Sequence, residues 1–350
     1  MFAFVLISYK LIWSRSHCSK VQYDVRGFTL TGKCFWKYLA FVAVLNCSFQ
    51  ETELATGVND GESTGDQVET DTDASGDDSG AVDTGVSLPE PLVRYRVNNT
   101  SLGQVPFLID DAPNPVNLPM VYNSSTSPIL MQDQGGDIFL DYSDQSESEN
   151  GGGRLPITNT KLEVVDGASQ VTLVAKYSLE SCDDGNHRLA GFSNGSVAET
   201  AGWLLIREDA GFEFLAIRFQ DQTETFEYIW PTPCPLALRN APAVVHWVID
   251  TTQENPEDRV KGYIDGERQI LALSNSVLAE VWQESDWPTK DAEIDLQGEQ
   301  TLGSVFVLGT DAFGGRKSNA SIWYVSLFSE ALTEEQIVYE SDLLKESDDK

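Results

Sequence analysis

The sequence is poor in positive charge and in metal-binding side chains. Its 350 residues include 23 Lys and Arg against 55 Asp and Glu, for a formal net charge of -32, and only 3 His. Such a surface repels nucleic acids and anionic lipids, which are themselves negatively charged. The sequence also lacks zinc-type Cys or His spacing, a glycine-rich phosphate loop and a dinucleotide fingerprint. These absences exclude a nucleic-acid partner and the common nucleotide-dependent enzymes.

Cysteine is scarce as well, with 5 residues in the chain. Cys18, Cys34 and Cys47 lie in or before a segment that is interpreted below as an export signal, which leaves Cys182 and Cys234 for the folded part. Neither has a second Cys or His at ligand spacing beside it, and an isolated pair in an exported protein is typical of a disulfide. We therefore predict a Cys182–Cys234 bridge, with two unrelated buried thiols as the alternative.

The N-terminal region has an apolar run that is too short to span a membrane stably. Residues 38–45 follow Lys33 and Lys37 and are typical of the hydrophobic core of a signal peptide. Residues 44–47 resemble the bacterial lipoprotein cleavage box, although Asn46 replaces the usual Gly or Ala. That resemblance implies a lipid anchor on Cys47, and Ser48 after it implies the outer membrane of a Gram-negative bacterium.

Two N-terminal segments are accordingly set apart from the fold. Residues 1–46 are assigned to a signal peptide or to an extension created by a misassigned start codon, and ordinary secretion is the alternative to lipidation. Residues 47–88 are assigned to an acidic tether, since Gln50 to Ser87 contains no Lys or Arg. Such a segment buries too little apolar surface to fold, and its charges repel one another, so we expect a disordered spacer.

From residue 89 the pattern changes to short β-type runs separated by Gly, Pro, Asn and Asp, which is typical of a sandwich or barrel. Asp265-Gly266 between two alternating runs is a strong hairpin signal. Residues 322–328 are apolar on both faces and predict a central strand. Thr333-Glu334-Glu335 predicts a capped helix of one or two turns. The predicted strands are 92–97, 137–142, 171–178, 188–193, 202–207, 212–219, 243–250, 259–264, 267–273, 304–309 and 320–328.

Several of these runs follow one another in a recognisable order, namely Leu92–Val97, Phe107–Leu118, Val244–Asp250, Val260–Gly266, Val305–Gly309 and Ile322–Phe328. In this order and spacing they resemble the bacterial laminin G-like domains of the concanavalin A-like lectin/glucanase superfamily. The resemblance covers most of residues 91–345. It implies an all-β, antiparallel jelly-roll β-sandwich over residues 89–345 with a short C-terminal helix, followed by a disordered tail at 346–350.

The same resemblance implies a calcium ion, which members of the superfamily often hold with an early acidic residue and an Asp in the final strand. Trp323 occupies the position of that Asp, and an indole cannot replace a hard oxygen ligand. Asp110, Asp111 and Asp311 are the substitute ligands that the sequence offers. Calcium is therefore an open expectation, and no other cofactor is indicated.

An acidic segment, Glu293-Ile-Asp-Leu-Gln-Gly-Glu299, resembles the Glu-x-Asp-x-Glu strand of laminarinase-type glycosidases on this fold. Period-2 geometry would place Glu293, Asp295 and residue 297 on one face. Residue 297 is Gln, which cannot donate a catalytic proton, and Glu299 lies one repeat further on. A solvated acidic edge is the alternative interpretation.

Exposed aromatic side chains give a physical basis for sugar binding, because sugar rings stack on Trp and Tyr. The candidates are Trp203, Trp230, Trp282 and Trp287, with core packing as the alternative for each. We therefore expect a surface-exposed, non-enzymatic recognition module whose ligand outside the cell is a glycan or a protein. The alternatives are a divergent glycosidase that uses Glu293, Asp295 and Glu299, and a purely structural surface protein.

Overall fold

The computed structural model describes residues 23–25, 28–30, 85–97, 102–122, 129–132, 138–142, 151–181, 186–194, 203–209, 212–220, 225–232, 234–237, 239, 241–273, 287–297, 304–312 and 318–346. The chain divides into two compact units, Met1–Asp78 and Ser79–Lys350. In the first unit, β1 (Tyr23–Val25) pairs antiparallel with β2 (Phe28–Leu30), within the segment to which the sequence assigned no fold. The signal run, Cys47 and most of the tether lie outside the described residues.

The second unit contains the other strands, two short 3-10 helices (Lys161–Val165 and Pro256–Asp258) and helix α1 (Glu334–Glu346). Its strands are β3 (Val93–Arg96), β4 (Phe107–Leu108), β5 (Leu118–Val121), β6 (Ile129–Gln132), β7 (Ile138–Asp141), β8 (Gly152–Pro156), β9 (Gln170–Leu179), β10 (Asn186–Ser193), β11 (Trp203–Asp209), β12 (Phe212–Ile217), β13 (Phe226–Ile229), β14 (Ala243–Asp250), β15 (Val260–Ile264), β16 (Glu267–Gln269), β17 (Ala272–Leu273), β18 (Val305–Leu308) and β19 (Ala320–Phe328). No helix among the described residues has the length and hydrophobicity needed to cross a membrane.

These strands form two antiparallel sheets. The front sheet has nine strands in the order β17-β13-β12-β11-β10-β18-β8-β5-β4. The back sheet has eight strands in the order β16-β15-β14-β9-β19-β7-β6, with β3 paired to β19 beside β7. The sheets pack face to face around one large apolar cluster, so the predicted antiparallel β-sandwich is confirmed.

Both central back-sheet strands are buried on both faces. β14 has no exposed residue along its length, and every residue of β19 except the half-buried Ser321 is buried. One face of each strand packs into the sandwich, while the other packs under α1 in a second apolar cluster that includes Val244, Tyr324 and Ile337. A strand that is apolar on both faces needs such a cover. The predicted central position of residues 322–328 is confirmed.

The Asp265-Gly266 hairpin is also confirmed. Both residues have positive φ, 54° and 85°, as a two-residue type I′ turn requires, and they join β15 to β16. The Asp265 side chain reinforces the turn, because its Oδ1 accepts a hydrogen bond of 2.9 Å from the Val244 amide. The turn therefore holds the edge of the back sheet against the start of β14.

Helix α1 is longer than predicted. It runs for 13 residues, from Glu334 to Glu346, instead of one or two turns. Its first turn has the expected capping box: the Thr333 hydroxyl accepts from the Gln336 amide at 3.3 Å, and the Gln336 side chain accepts from the Thr333 amide at 2.9 Å. The buried positions of the helix include Glu340 and Ser341 as well as Ile337 and Leu344, so polar residues interrupt the apolar stripe that would have revealed its length.

Candidate functional site

The three described candidate tryptophans are buried, which corrects the expectation that they present exposed ring faces. The guanidinium carbons of Arg188 and Arg207 lie over the Trp203 ring, 5.0 and 5.2 Å from its centroid. The Trp287 ring stacks on Tyr228 at 5.6 Å. The sequence could not tell a buried ring from an exposed one, because a Trp next to a loop can turn inward as readily as outward. Trp282 lies outside the described residues.

Trp230 differs from the other two because it lines a surface cleft. The cleft has a volume of about 740 Å³ and lies at one end of the sandwich. The loop after β13 forms one wall, the β15–β16 hairpin forms the opposite wall, and Lys345 near the end of α1 closes one side. The cleft is lined by Trp230, Pro231, Thr232, Pro235, Arg239, Ile264, Asp265, Glu267, Arg268, Gln269, Ile270 and Lys345.

The charged groups of the cleft are largely balanced. Arg239 is ion-paired with Asp265, and Arg268 lies 3.0 Å from Asp258. Lys345 is 3.2 Å from Asp342 and also donates to the Asp265 carbonyl at 3.2 Å. These cations are already neutralised, so the cleft offers many hydrogen-bonding groups with little net charge. That combination suits a neutral polar ligand better than a strongly charged one.

Trp230 forms the floor of the cleft. Only 2% of its surface is exposed, and its ring stacks on Trp247 with centroids 5.0 Å apart. Gly262 permits this packing, since a Cβ at that position would lie 3.1 Å from the Trp247 ring and 3.3 Å from the Trp230 Nε1. The Trp230 Nε1 is buried and has no hydrogen-bond partner among the described residues. An unpaired buried N–H is costly, so an acceptor that reached it would relieve that cost.

A row of polar side chains continues from Trp230 into the sandwich. His187 on β10 pairs in register with Glu208 on β11, and Glu208 pairs with Glu213 on β12. The Trp230 amide donates to the Glu213 carbonyl at 3.3 Å, which places Trp230 next in the row. The His187 Nε2 lies 3.4 Å from a Glu208 carboxylate oxygen. We call His187, Glu208, Glu213 and Trp230 the buried polar row.

The back sheet contributes Tyr177 to this row. Tyr177 is buried on β9, and its hydroxyl has no hydrogen-bond partner within the described part of the chain. Burial raises the pKa of Tyr177 well above its ordinary value, with further contributions from the nearby Glu213 and Glu208. Burial likewise raises the pKa of Glu213 well above its ordinary value, and Glu208 raises it further. Both carboxylate oxygens of Glu213 are without a hydrogen-bond partner among the described residues.

The acidic segment lies at the opposite end of the sandwich. Asp295 is ion-paired with Arg218 at 2.9 Å, just after β12, whereas Glu213 and Trp230 lie at the beginning of that strand. Five residues of strand separate the two places by about 16 Å. The structure therefore does not bring Glu293 and Asp295 together with Trp230. Trp203 lies at the same end as the acidic segment, because its carbonyl accepts from the Arg218 amide at 3.0 Å.

The expected alternation within this segment is nevertheless present. Glu293 and Gln297 are exposed and Asp295 is half-buried, while Ile294 and Leu296 are buried. Asp295 is engaged twice, since its second oxygen accepts a 2.9 Å hydrogen bond from the Gln297 amide. A carboxylate that is held by Arg218 is a poor nucleophile, and Glu299 lies outside the described residues. The glycosidase hypothesis stays untested by these contacts.

The three substitute calcium ligands do not form a cluster. Asp110 is buried and accepts from the amides of Arg94, Ala112 and Val116 at 2.9, 3.0 and 2.8 Å, with Lys161 Nζ at 2.8 Å. Asp111 is ion-paired with Arg94 and Arg96. Within the described ranges, no group of three or more His, Cys, Asp or Glu side chains is arranged to hold a metal ion, and this includes Asp311.

The structure also places Trp323 and Cys234, two residues that the sequence singled out. Trp323 is buried at a register shift between β19 and β9, where its ring stacks on Phe139 at 4.9 Å. Cys234 is buried and disulfide-bonded. Cys182 lies outside the described residues, so the Cys182–Cys234 pairing stays a prediction.

No family model matches the sequence, and no curated protein matches it. Among solved structures, the receptor-binding domain of botulinum neurotoxin C/D mosaic serotype has a TM-score of 0.43 and 11% identity over 72% of this chain and 51% of that chain. The binding domain of botulinum neurotoxin DC in complex with SialylT has a TM-score of 0.44 and 10% identity over 74% of this chain and 52% of that chain. Trypanosoma rangeli sialidase in complex with sialic acid has a TM-score of 0.42 and 10% identity over 73% of this chain and 33% of that chain.

The chain thus spans between a third and about half of the lengths of these structures. The TM-scores are too low for the similarities to carry an argument about function. The resemblance to laminin G-like domains therefore remains a prediction, while the β-sandwich itself is established by the two sheets.

Proposed function

We propose that the second unit is a non-enzymatic recognition module that binds a neutral glycan in the cleft beside Trp230. The unpaired Trp230 Nε1 at the floor is the observation that carries the proposal. It is a buried donor for which the described residues supply no acceptor, in a side chain that lines the cleft, and sugar hydroxyls are good acceptors. The walls add side chains that can take the remaining hydroxyls, among them Arg268 and Gln269.

The rim of the cleft also supports binding of an extended ligand. Ile270 is 82% exposed beside the polar wall, which gives the C–H face of a sugar an apolar surface to contact. The charge balance of the walls favours a neutral sugar over an acidic one. A protein ligand is the alternative occupant, and the same binding measurements separate the two.

The setting of this module belongs to the proposal as well. We infer that it is exported and held at the surface of a Gram-negative cell by a lipid on Cys47, with residues 47–88 as the spacer. Calcium has no part in the proposal, because the Asp110 oxygens already accept from protein donors. A purely structural role remains the outcome if no ligand binds.

The test is a glycan array on the purified protein, followed by calorimetry of each hit with wild type and Trp230→Phe. This variant keeps an aromatic ring and removes the N–H, so we expect two- to tenfold weaker binding, in line with about 0.5–1.5 kcal/mol for one hydrogen bond. Lys290→Ala is the matched control, since Lys290 pairs with Glu254 away from the cleft. Equal affinity of Trp230→Phe and wild type would place the ligand elsewhere.

Turnover is tested separately with β-glucans and other polysaccharides. The proposal expects no new reducing ends from wild type. Reducing ends that appear with wild type and disappear in Glu293→Gln would establish the glycosidase alternative and refute a binding-only module.

A further inference from the structure

The buried polar row places two carboxyl groups against each other inside the sandwich. Glu208 and Glu213 are direct partners on β11 and β12, and their side chains have no exposed surface. Side chains on directly opposed residues of an antiparallel pair have Cβ atoms about 4.5–5.5 Å apart. The two groups must therefore share one small, dry region of the core.

The cations nearest in sequence do not face this region. Arg207 precedes Glu208 and points to the other face of the front sheet, where its guanidinium lies over Trp203 and over Phe214 at 4.2 Å. Arg188 lies over the same Trp203 ring at 5.0 Å. The titratable groups that face Glu213 are thus His187 on β10, Glu208 on β11 and Tyr177 on β9.

Only one of the two carboxylates has a close basic partner. The His187 Nε2 lies 3.4 Å from a Glu208 carboxylate oxygen. Neither oxygen of Glu213 accepts a hydrogen bond from any described residue. A second buried negative charge beside Glu208, with no cation and no donor, would be strongly unfavourable.

We propose that Glu213 is protonated in the folded protein at neutral pH, and that loss of this proton opens the end of the sandwich that contains the cleft. The coupling runs through Trp230, whose amide donates to the Glu213 carbonyl and whose side chain forms the cleft floor. Hydration of an ionised Glu213 requires that the beginning of β12 separates from Trp230, the residue that follows β13. The effect on the cleft rests on the proposed function, whereas the protonation of Glu213 is independent of it.

The sign of the pH dependence follows from burial. Burial raises the pKa of folded Glu213 well above its ordinary value of about 4.3. Below about 4.3 the carboxyl is protonated in both the folded and the unfolded chain, so its contribution does not vary. Between that value and the raised folded pKa, the folded chain holds a proton that the unfolded chain has lost. Stability therefore falls as pH rises, by up to tenfold in the folding equilibrium constant for each pH unit.

The first test is urea unfolding of the full chain across this pH range, for wild type, Glu213→Gln and the exposed control Glu90→Gln. Gln mimics the protonated carboxyl, so we expect the folding constant of Glu213→Gln to exceed that of wild type by a ratio that grows up to tenfold per pH unit. Glu90→Gln should follow wild type. A pH-independent ratio for Glu213→Gln would overturn the proposal.

A second measurement does not need the variant to fold. In wild type labelled with ¹³C at the glutamate side-chain carboxyls, one resonance should keep the chemical shift of a protonated carboxyl at neutral pH. If every glutamate resonance titrates in the ordinary acidic range, Glu213 is ionised and the proposal is wrong.

The link to the cleft is measured at the Trp230 amide. Its hydrogen-exchange protection, relative to the intrinsic rate, should fall with rising pH in wild type and stay constant in Glu213→Gln. This readout uses no ligand, so it can succeed even if the glycan proposal fails. If the protection is the same in both proteins at every pH, the proton does not control the cleft end.

Discussion

Asp110 illustrates how one buried carboxylate can resemble a metal ligand in the sequence and have a different role in the fold. Its two oxygens accept hydrogen bonds from three backbone amides and form an ion pair with Lys161. These contacts hold together β3, the loop before β5 and the 3-10 helix that begins at Lys161. The Asp110 amide itself donates to Asn117 at 3.1 Å. The sequence does not show whether the carboxylate of an acidic residue next to a strand will bind backbone amides or a metal ion.

Replacing Asp110 by Asn tests this structural role. The Asn amide nitrogen is a donor, and it would replace a carboxylate oxygen that accepts from backbone amides. Two donors would then face each other, so we expect the free energy of unfolding to fall by about 1–3 kcal/mol. Asp111→Asn is the comparison, because Asp111 is partly exposed and its ion pairs with Arg94 and Arg96 should contribute about 0–1 kcal/mol. Urea unfolding with and without Ca²⁺ measures both variants. Calcium-dependent stabilisation of wild type that Asp110→Asn abolishes would restore the calcium interpretation.

Burial of Trp203, Trp230 and Trp287 was likewise not visible in the sequence. Proline beside Trp230 and Trp287 correctly indicated loops, yet the rings turn inward onto Trp247 and Tyr228. The polar row was missed for the same reason. On β11, Leu204 and Ile206 face the core while Trp203 and Leu205 form a separate cluster on the other face, so both faces are apolar and alternation does not say where Glu208 points.

At the scale of elements, helix α1 is attached to the back sheet by polar as well as apolar contacts. Glu340 lies 3.2 Å from His246 Nε2 and accepts from the Tyr324 hydroxyl at 3.3 Å, while Lys176 donates to the Leu344 carbonyl at 2.6 Å. These partners come from β14, β19 and β9 respectively. The helix thus covers the outer face of three central strands, which explains why those strands can be apolar on both faces.

The apolar part of this attachment predicts a large effect of Ile337→Ala. Ile337 is fully buried against β14 and β19 residues, so its truncation should lower the free energy of unfolding by about 2–4 kcal/mol. Leu343→Ala on the exposed side of the same helix should change it by less than about 0.5 kcal/mol. Thermal unfolding of the two variants checks the contrast. Equal effects would mean that α1 is not docked as described.

The sequence predicted strong elements well and weak ones poorly. Ten of the eleven predicted strands are present, and those over 243–250 and 320–328 have the predicted bounds. The predicted strand 267–273 is instead two short strands, β16 in the back sheet and β17 in the front sheet. In the second unit, the strands that were missed are β4, β5, β6, β8 and β13. These are short, and β8 begins with Gly152-Gly153, whose missing side chains let Leu118 and Leu308 pack closely. Their pairing comes from neighbours across the sheet, which alternation within a segment does not encode.

At the scale of the whole molecule, the cleft and the buried polar row share one end of the sandwich, while the acidic segment lies at the other. β9 ends and β14 begins side by side at the cleft end, because Ala243 pairs with Tyr177, and in the sequence the connections from β9 to β10 and from β13 to β14 adjoin these two places. Cys182 and Cys234 occupy these two connections. Strands far apart in sequence therefore meet at the one place where the proposed binding site needs a fixed geometry.

A bridge between Cys182 and Cys234 would close the chain across β10 to β13 and hold this end together. We expect Cys182→Ser to lower the free energy of unfolding by about 2–4 kcal/mol, because the unfolded chain loses a constraint. Cys234→Ser should have a similar effect, and the double variant should cost little more than either, since each single change already removes the bridge. Urea unfolding and thiol titration of the unfolded, unreduced protein measure both statements. Additive losses, or a free thiol at Cys182, would show that Cys234 is bonded to another cysteine and that the cleft end is held by packing alone.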